Sequence, residues 1–173
     1  MKNLGYSQID PTEIDDNLIR LIASDWMLVT AGTSEKFNTM TANWGGMGYL
    51  WKRPVAFVFV RPERYTYGFT ESSAGFTLTF FDEKYREALN LCGTKSGRDC
   101  DKVAEAGLTP YFTENGYPAF TQAKLVFECR KLYATMLTRD AFTDDRPLRE
   151  HYNTTGGLHK LYIAEIEKAW IKQ

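Results

Sequence analysis

The order of the apolar runs limits this chain most: strand-like segments follow one another without a regular alternation of strand and helix. Trp26–Ala31 is a strand candidate. Gly32-Thr33-Ser34 turns the chain, and Phe37 to Thr41 starts the return. Pro54–Val60 is nearly all apolar, as a strand buried on both faces should be, and Pro54 is tolerable at a first strand position. Gly75–Phe81 alternates in part. Ala123–Leu137 reads as one long strand, or two joined by a bend. His159–Ile166 alternates as the last main strand, extended by Ala169–Ile171. Roughly six or seven strands and about three short helices predict a mostly β fold, an antiparallel β-barrel with peripheral helices rather than a doubly wound sheet.

Caps place the helices. Asp10 can cap, Pro11 fits the first helical position and Glu13 completes a box-like spacing. Ile14, Leu18 and Ile22 then predict a short amphipathic helix that stops near Ser24-Asp25. Asp82 is expected to cap a helix running to Leu91, with Tyr85, Ala88 and Leu89 as its apolar face. A short helix is expected to start near Asp99 and end near Gly107. Thr113–Ala119 reads as a turn-rich loop and Thr143–Arg149 as a charged one.

The length of 173 residues fits one domain with a full core, and no repeat, low-complexity tract or linker divides it; residues 1–173 are expected to form a single domain. Hydrophobic residues make up 43% and aromatics 14%, which excludes a disordered chain. A net charge of −1 argues against nucleic-acid or membrane-surface binding driven by bulk charge. Three cysteines, Cys92, Cys100 and Cys129, without an apolar leader segment point to reduced thiols in a cytoplasm. No run approaches the ~20 apolar residues that span a bilayer. The two histidines, His151 and His159, have no zinc-site spacing with any cysteine, and no metal is expected.

Three polar segments carry the candidate chemistry. Residues 38–48 (Asn38, Thr39, Met40, Thr41, Ala42, Asn43, Trp44, then closely spaced glycines) offer hydroxyls, amides and close backbone approach to the edge of a flat polar ligand, which Trp44 would cover. A glycine-rich turn with a buried tryptophan is the alternative. Residues 61–66 bring Arg61, Arg64, Tyr65 and Thr66 to a strand end, and residues 93–102 bring Ser96, Gly97 and Lys102 with Lys95 and Arg98. Arginine forks and small-residue backbone amides suit a phosphorylated, planar, aromatic ligand. Arg61 and Arg64 could equally be ion-pair partners of Glu63 or Glu71. Gly93–Gly97 is not a Walker loop, since the Gly-Lys-Ser/Thr ending is missing. Cys92 and Cys100 are either inert thiols or a redox pair, and Tyr162, Phe127 and Tyr133 are expected to pack the barrel or a dimer face.

In their order and spacing, Asn38–Gly45, Val60–Thr66, Ser96–Lys102 and His159–Ile163 resemble the flavin reductase-like, FMN-binding split-barrel family, closest to its flavoredoxin-like branch. The resemblance covers roughly residues 10–170. It implies a six-stranded antiparallel split barrel, a homodimer, and FMN in a groove near the subunit interface. Asn38 to Trp44 would face the ring and ribityl portions. Arg61, Arg64, Tyr65 and Thr66 would lie on the ribityl-phosphate side, and Ser96, Gly97 and Lys102 would close on the phosphate. His159, in Gly157-Leu158-His159, would stand near the flavin or a nicotinamide. Many two-component reductases of the family carry an acidic or amide residue where Leu158 stands, which puts direct NADH or NADPH handling in doubt. The implied function is a flavoprotein oxidoreductase passing electrons between NAD(P)H or a protein donor and a flavin or protein acceptor. The competing readings are a non-enzymatic FMN- or haem-binding module on the same barrel, and a dimeric scaffold without cofactor.

Overall fold

The computed structural model describes residues 1–153 and 156–173. Ten strands are formed: β1 (Tyr6–Ile9), β2 (Met27–Gly32), β3 (Phe37–Ala42), β4 (Gly45–Leu50), β5 (Arg53–Val60), β6 (Gly75–Phe80), β7 (Pro110–Phe112), β8 (Pro118–Phe120), β9 (Leu125–Met136) and β10 (Lys160–Lys172). Seven of them pair in the order β3-β2-β6-β9-β10-β5-β4, β1 adds to the far half of β10, and β7 and β8 form a separate hairpin. Every pairing is antiparallel. The sheet curls but does not close. Its two free edges, β3 and β4, are consecutive in the chain and joined by Asn43 and Trp44 alone.

The period-2 alternation of each strand sorts residues into two cores. Met27 and Val29 of β2, Phe76, Leu78 and Phe80 of β6, and Leu125, Phe127 and Cys129 of β9 fill the barrel with Val58 and Tyr162. The intervening Leu28 and Val126 point outward, where Leu89, Cys92, Phe120 and Trp170 cover them. The central strands are therefore buried on both faces, which is why β6 reads as a continuous apolar run with threonines. Its outward threonines need partners. Thr77 donates to Pro118 O, whereas the hydroxyl of Thr79 is buried with no partner.

The peripheral elements depart from expectation where tertiary contacts override local signals. The capping box at Asp10 forms, but only a single turn follows, Pro11–Glu13, because Ile14 is extended. A second start capped by Asn17 leads into α1 (Leu18–Arg20), which widens into a π turn over Leu21–Asp25. Trp26 then adopts φ 67°, so β2 begins one residue later than expected. Tyr65–Ser72, for which the sequence suggested no helix, is helix α2. α3 (Arg86–Thr94) follows a short 3-10 turn, and Asp82 makes no side-chain cap. α4 (Lys102–Glu105) starts three residues after Asp99 and is capped by Asp101. Thr113–Ala119 lies within the β7–β8 hairpin, and Arg146–His151 forms α5. Among the described residues no helix is long and apolar enough to cross a membrane.

The orphaned hydroxyl of Thr79 makes a stability prediction. Thr79→Val keeps the shape and removes a buried, unsatisfied polar group, so urea unfolding should give a gain of about 1 kcal/mol. A loss of stability in that variant would show that the hydroxyl has an acceptor in solution.

Candidate functional site

The cleft lies where the barrel fails to close. The end of β3, the Asn43-Trp44 link, the end of β5 and the start of β10 surround a hollow of about 180 Å³ lined by Met40, Thr41, Ala42, Asn43, Trp44, Phe59, Arg61, Arg64 and His159. The link turns sharply into β4 through Gly45, at φ 153°. A Cβ there would stand 2.7 Å from the carbonyl oxygen of Phe57, so only glycine lets β4 approach β5 at this point. Trp44 is 39% exposed, and its indole packs against the rings of His151 (4.9 Å) and His159 (5.1 Å).

Arg64 is shared with a second hollow of about 170 Å³, lined also by Glu63, Tyr65, Gly93, Thr94, Lys95, Ser96, Arg98 and Lys102. Four cations face one carboxylate here. Lys95 is paired with Glu105 at 2.5 Å. Lys102 is buried, and its ammonium donates to Cys92 O (3.0 Å) and Lys95 O (3.2 Å), the carbonyl end of α3, where a cation also meets the negative pole of the helix. Burial pushes its pKa down to about 8. Arg64 is different. Its guanidinium is half-buried, reaches only Cys92 O at 3.5 Å, and has no carboxylate partner among the described residues. Burial lowers its pKa, against a smaller opposing contribution from Cys92. Arg64 is also the N-cap residue of α2 and makes no side-chain cap there.

The remaining candidates divide. Asn38, Tyr65, Gly97 and Lys102 line a larger neighbouring groove of about 650 Å³. Asn38 is itself buried and donates to Thr66 Oγ1 (2.8 Å) and Thr39 O (3.2 Å). A Cβ on Gly97 would collide with Asn38 Oδ1, so glycine is what allows the 96–98 loop to pack on β3. Thr39 faces away and bonds Thr30 at 2.8 Å, and Thr66 is buried beneath Asn38; neither lines a hollow. Thr41 lines the cleft, but its hydroxyl donates to Leu89 O of α3. Arg61 makes no ion pair among the described residues: it donates to His151 O (2.8 Å) and lies 5.3 Å over the Tyr152 ring. Glu71, the other proposed partner of the arginines, pairs with Lys160 at 2.6 Å.

His159 is 8% exposed, and its Nδ1 is 2.7 Å from the hydroxyl of Tyr152. Burial, then the charge of Arg61, push its pKa down to about 4, against a smaller opposing pull from Glu63. Phe59, Glu63, His151 and Tyr152 complete this wall; of these, sequence reasoning named Glu63 only as an ion-pair partner and His151 only as one of the two histidines, and did not single out Phe59 or Tyr152. The cysteines are free thiols; burial pushes the Cys92 pKa up to about 11 and also raises that of Cys100.

The His159 shift sets a pH dependence. The unfolded chain takes up the proton near pH 6.5 and the folded chain only near pH 4, so stability is full above the first value and is lost as pH falls toward the second. The contribution is on the order of 3 kcal/mol. Replacing His159 with Asn should flatten the unfolding free energy across that window relative to the parent; parallel profiles would show that His159 takes up its proton equally well in the folded and unfolded chains.

Comparison with known proteins agrees with this architecture. No curated protein matches the sequence. An FMN-binding protein from Thermus thermophilus, solved with bound p-hydroxybenzaldehyde, superposes with a TM-score of 0.65 at 20% identity, over 84% of this chain and 70% of that one. Flavoredoxin from Methanosarcina acetivorans gives 0.69 at 18%, over 95% and 77%. The NADH:FAD oxidoreductase SgcE6 from Streptomyces globisporus C-1027, in complex with NAD and FAD fragments, gives 0.60 at 17%, over 84% and 73%. At these identities the likeness is one of fold. The sequence itself matches the flavin reductase like domain over residues 19–173, from α1 through the end of β10. The open barrel is thus a split barrel, and the chain belongs to the flavin reductase like family.

Proposed function

We propose that the cleft and the adjoining hollow hold FMN, and that the protein is a flavoprotein oxidoreductase passing electrons between NADH, NADPH or a protein donor and a flavin or protein acceptor. The observation that carries this reading is Arg64: an unpaired, half-buried guanidinium beside an open helix N-terminus, set between a cationic hollow and an aromatic-walled cleft. A dianionic phosphate joined to a planar ring suits that pair of spaces, and the surrounding donor set fits it.

Bound flavin supplies the redox chemistry; the chain supplies position, donors and exclusion of water. Arg64 binds the phosphate with Arg98, Ser96 and the first N–H groups of α2. Thr41, Ala42 and Asn43 present polar groups to the ring edge, and Trp44 shields one side from solvent. His159 and Arg61 stand at the far wall. Lys102 acts from behind, holding the end of α3 against the loop that carries Ser96. Tyr65 closes the phosphate side, and Asn38, Gly97 and Thr66 fix the loop's seat.

The coarse type, a flavin-binding oxidoreductase, follows from the family. The flavoredoxin-like fold and Leu158 favour a protein electron donor, and the NAD-bound fold relative favours a nicotinamide. We further propose a homodimer: β4 is an open edge, and its Tyr49 (70% exposed) with Trp51 (54% exposed) of the turn that follows would give an apolar surface for a second copy to cover. The free cysteines favour the cytoplasm.

The purified protein should show a flavin spectrum, directly or after incubation with FMN. Bleaching by NADH or NADPH without oxygen would establish direct reduction; a spectrum that stays oxidised would point to a protein donor. Failure to take up FMN would overturn the cofactor. Arg64→Ala should weaken FMN binding by about 1–3 kcal/mol, the range for hydrogen bonds to charged groups, with little loss of stability. Lys102→Ala should instead lower stability, because it strips two helix-end carbonyls of their donor. Equal FMN affinity in Arg64→Ala and the parent would place the phosphate elsewhere. Light scattering should give the mass of two chains.

A further inference from the structure

We propose that Tyr152 is a positioning residue: its phenol fixes His159 in the Nε2–H tautomer, so that the imidazole faces the cleft as a neutral hydrogen-bond donor. The identity of the ligand that meets this donor rests on the FMN reading; the tautomer does not.

The chain between β9 and β10 carries Tyr152 to the cleft. It leaves the barrel after Met136 and returns at His159, and several contacts seat it on the cleft rim. Arg61 donates to His151 O at 2.8 Å, Glu63 accepts from the backbone N–H of Gly157, and Arg139 donates to Tyr152 O at 3.1 Å. Tyr152 itself is 6% exposed, with the Arg61 guanidinium over its ring and Phe142 packed 6.1 Å away. Its hydroxyl has one partner among the described residues, Nδ1 of His159 at 2.7 Å.

A buried phenol O–H needs an acceptor. A neutral imidazole has one bare nitrogen and one N–H. His159 stays neutral because it is buried beside Arg61, with Glu63 only partly offsetting that charge. If Nδ1 carried the proton, the phenol would accept it and its own hydrogen would be left without an acceptor among the described residues. The phenol therefore donates, Nδ1 is bare, and the proton sits on Nε2. Among the described residues Nε2 has no hydrogen-bond partner, while His159 lines the cleft. The donor is thus directed at whatever fills it. A carbonyl or unprotonated ring nitrogen of a planar ligand satisfies it; a ligand presenting only N–H groups on that edge does not.

Nitrogen NMR of the ligand-free protein labelled at histidine tests this directly. Only two histidines are present, and the signals of exposed His151, whose Nε2 lies 3.7 Å from the Glu150 carboxylate, are told apart by its own substitution to Gln. In the parent, His159 should show Nδ1 at the position of a bare, hydrogen-bonded nitrogen and Nε2 at that of a protonated one. In Tyr152→Phe, which keeps the ring, both signals should move toward the averaged positions of exchanging tautomers. A proton on Nδ1 in the parent overturns the proposal whether or not the variant folds, and so does an unchanged pattern in a folded Tyr152→Phe. FMN titration separates the two readings. Binding weakened about two- to tenfold in Tyr152→Phe is expected from the loss of one oriented hydrogen bond, and equal affinity removes the donor's role toward the ligand. Absence of FMN binding by the parent overturns the flavin reading and leaves the NMR result to decide the tautomer.

Discussion

The register of β10 is the constraint on which the rest of this structure depends. That single strand pairs with β9 along its length, with β5 through its first half and with β1 through its last residues. The pairing Lys160↔Val60 sets His159 beside Arg61, and Lys160↔Met136 fixes where the chain leaves the barrel and returns. Two irregularities, after Ile163 and after Ile166, let one strand serve both halves of the barrel without losing the alternation that keeps Tyr162, Ala164 and Ile166 inside. A slip of one residue would turn His159 away from the cleft and drive Lys160 inward. The site is therefore a consequence of strand pairing more than of any local motif.

A second constraint is how positive charge is satisfied. Around the cleft, cations mostly meet backbone carbonyls: Lys102 at the end of α3, Lys131 on the carbonyls of Thr70 and Glu71 in α2, and Arg61 on His151. Lys95 with Glu105 is the carboxylate pair at the hollow, and others lie farther off, as in Arg130 with Glu165 and Glu167 on the outer face of β9 and β10. Carbonyl partners hold a cation in place without cancelling its charge. A chain with a net charge of −1 thus keeps a strongly positive hollow at Arg64, which composition alone conceals.

What could be read from the sequence follows from the same physics. β2, β3, β5, β6, β9 and β10 carry alternation or dense apolar runs, because each buries one or both faces, and all six were legible. β4 was not: three of its six residues are glycines, and it is an edge strand whose pairing with β5 comes from a two-residue turn at Trp51 and Lys52, both at positive φ, rather than from burial. β1 is four residues, anchored by the hydroxyl of Tyr6 on Ala123 O, a contact across most of the chain. α2 is rich in aromatic and β-branched residues with low helix propensity; it is helical because Thr66, Thr70 and Phe69 pack against the barrel. At the site, residue types and spacing pointed to Arg64, Trp44 and Ser96. Tyr152 left no local trace, since it lies in a charged segment and gains its role only when β10 brings His159 to it.

The electrostatics of the cleft divide along its length in a way that follows from these placements. The Arg64 hollow holds fixed positive charge and an open helix N-terminus, suited to an anion. The Trp44 end holds the Arg61 guanidinium and His159, kept neutral by burial and by that same arginine. A histidine that gained a proton near neutral pH would change the charge next to a bound ring with every small shift in acidity. By placing a permanent cation beside a neutral imidazole, the fold supplies both a positive charge and an oriented donor that stay constant from pH 7 down to well below the ordinary histidine range. Under the flavin reading proposed above, such constancy suits a ligand that changes its own charge during turnover: the protein's contribution to the ring environment would be the same before and after, and the difference in binding between ligand states would be left to geometry and to Arg61.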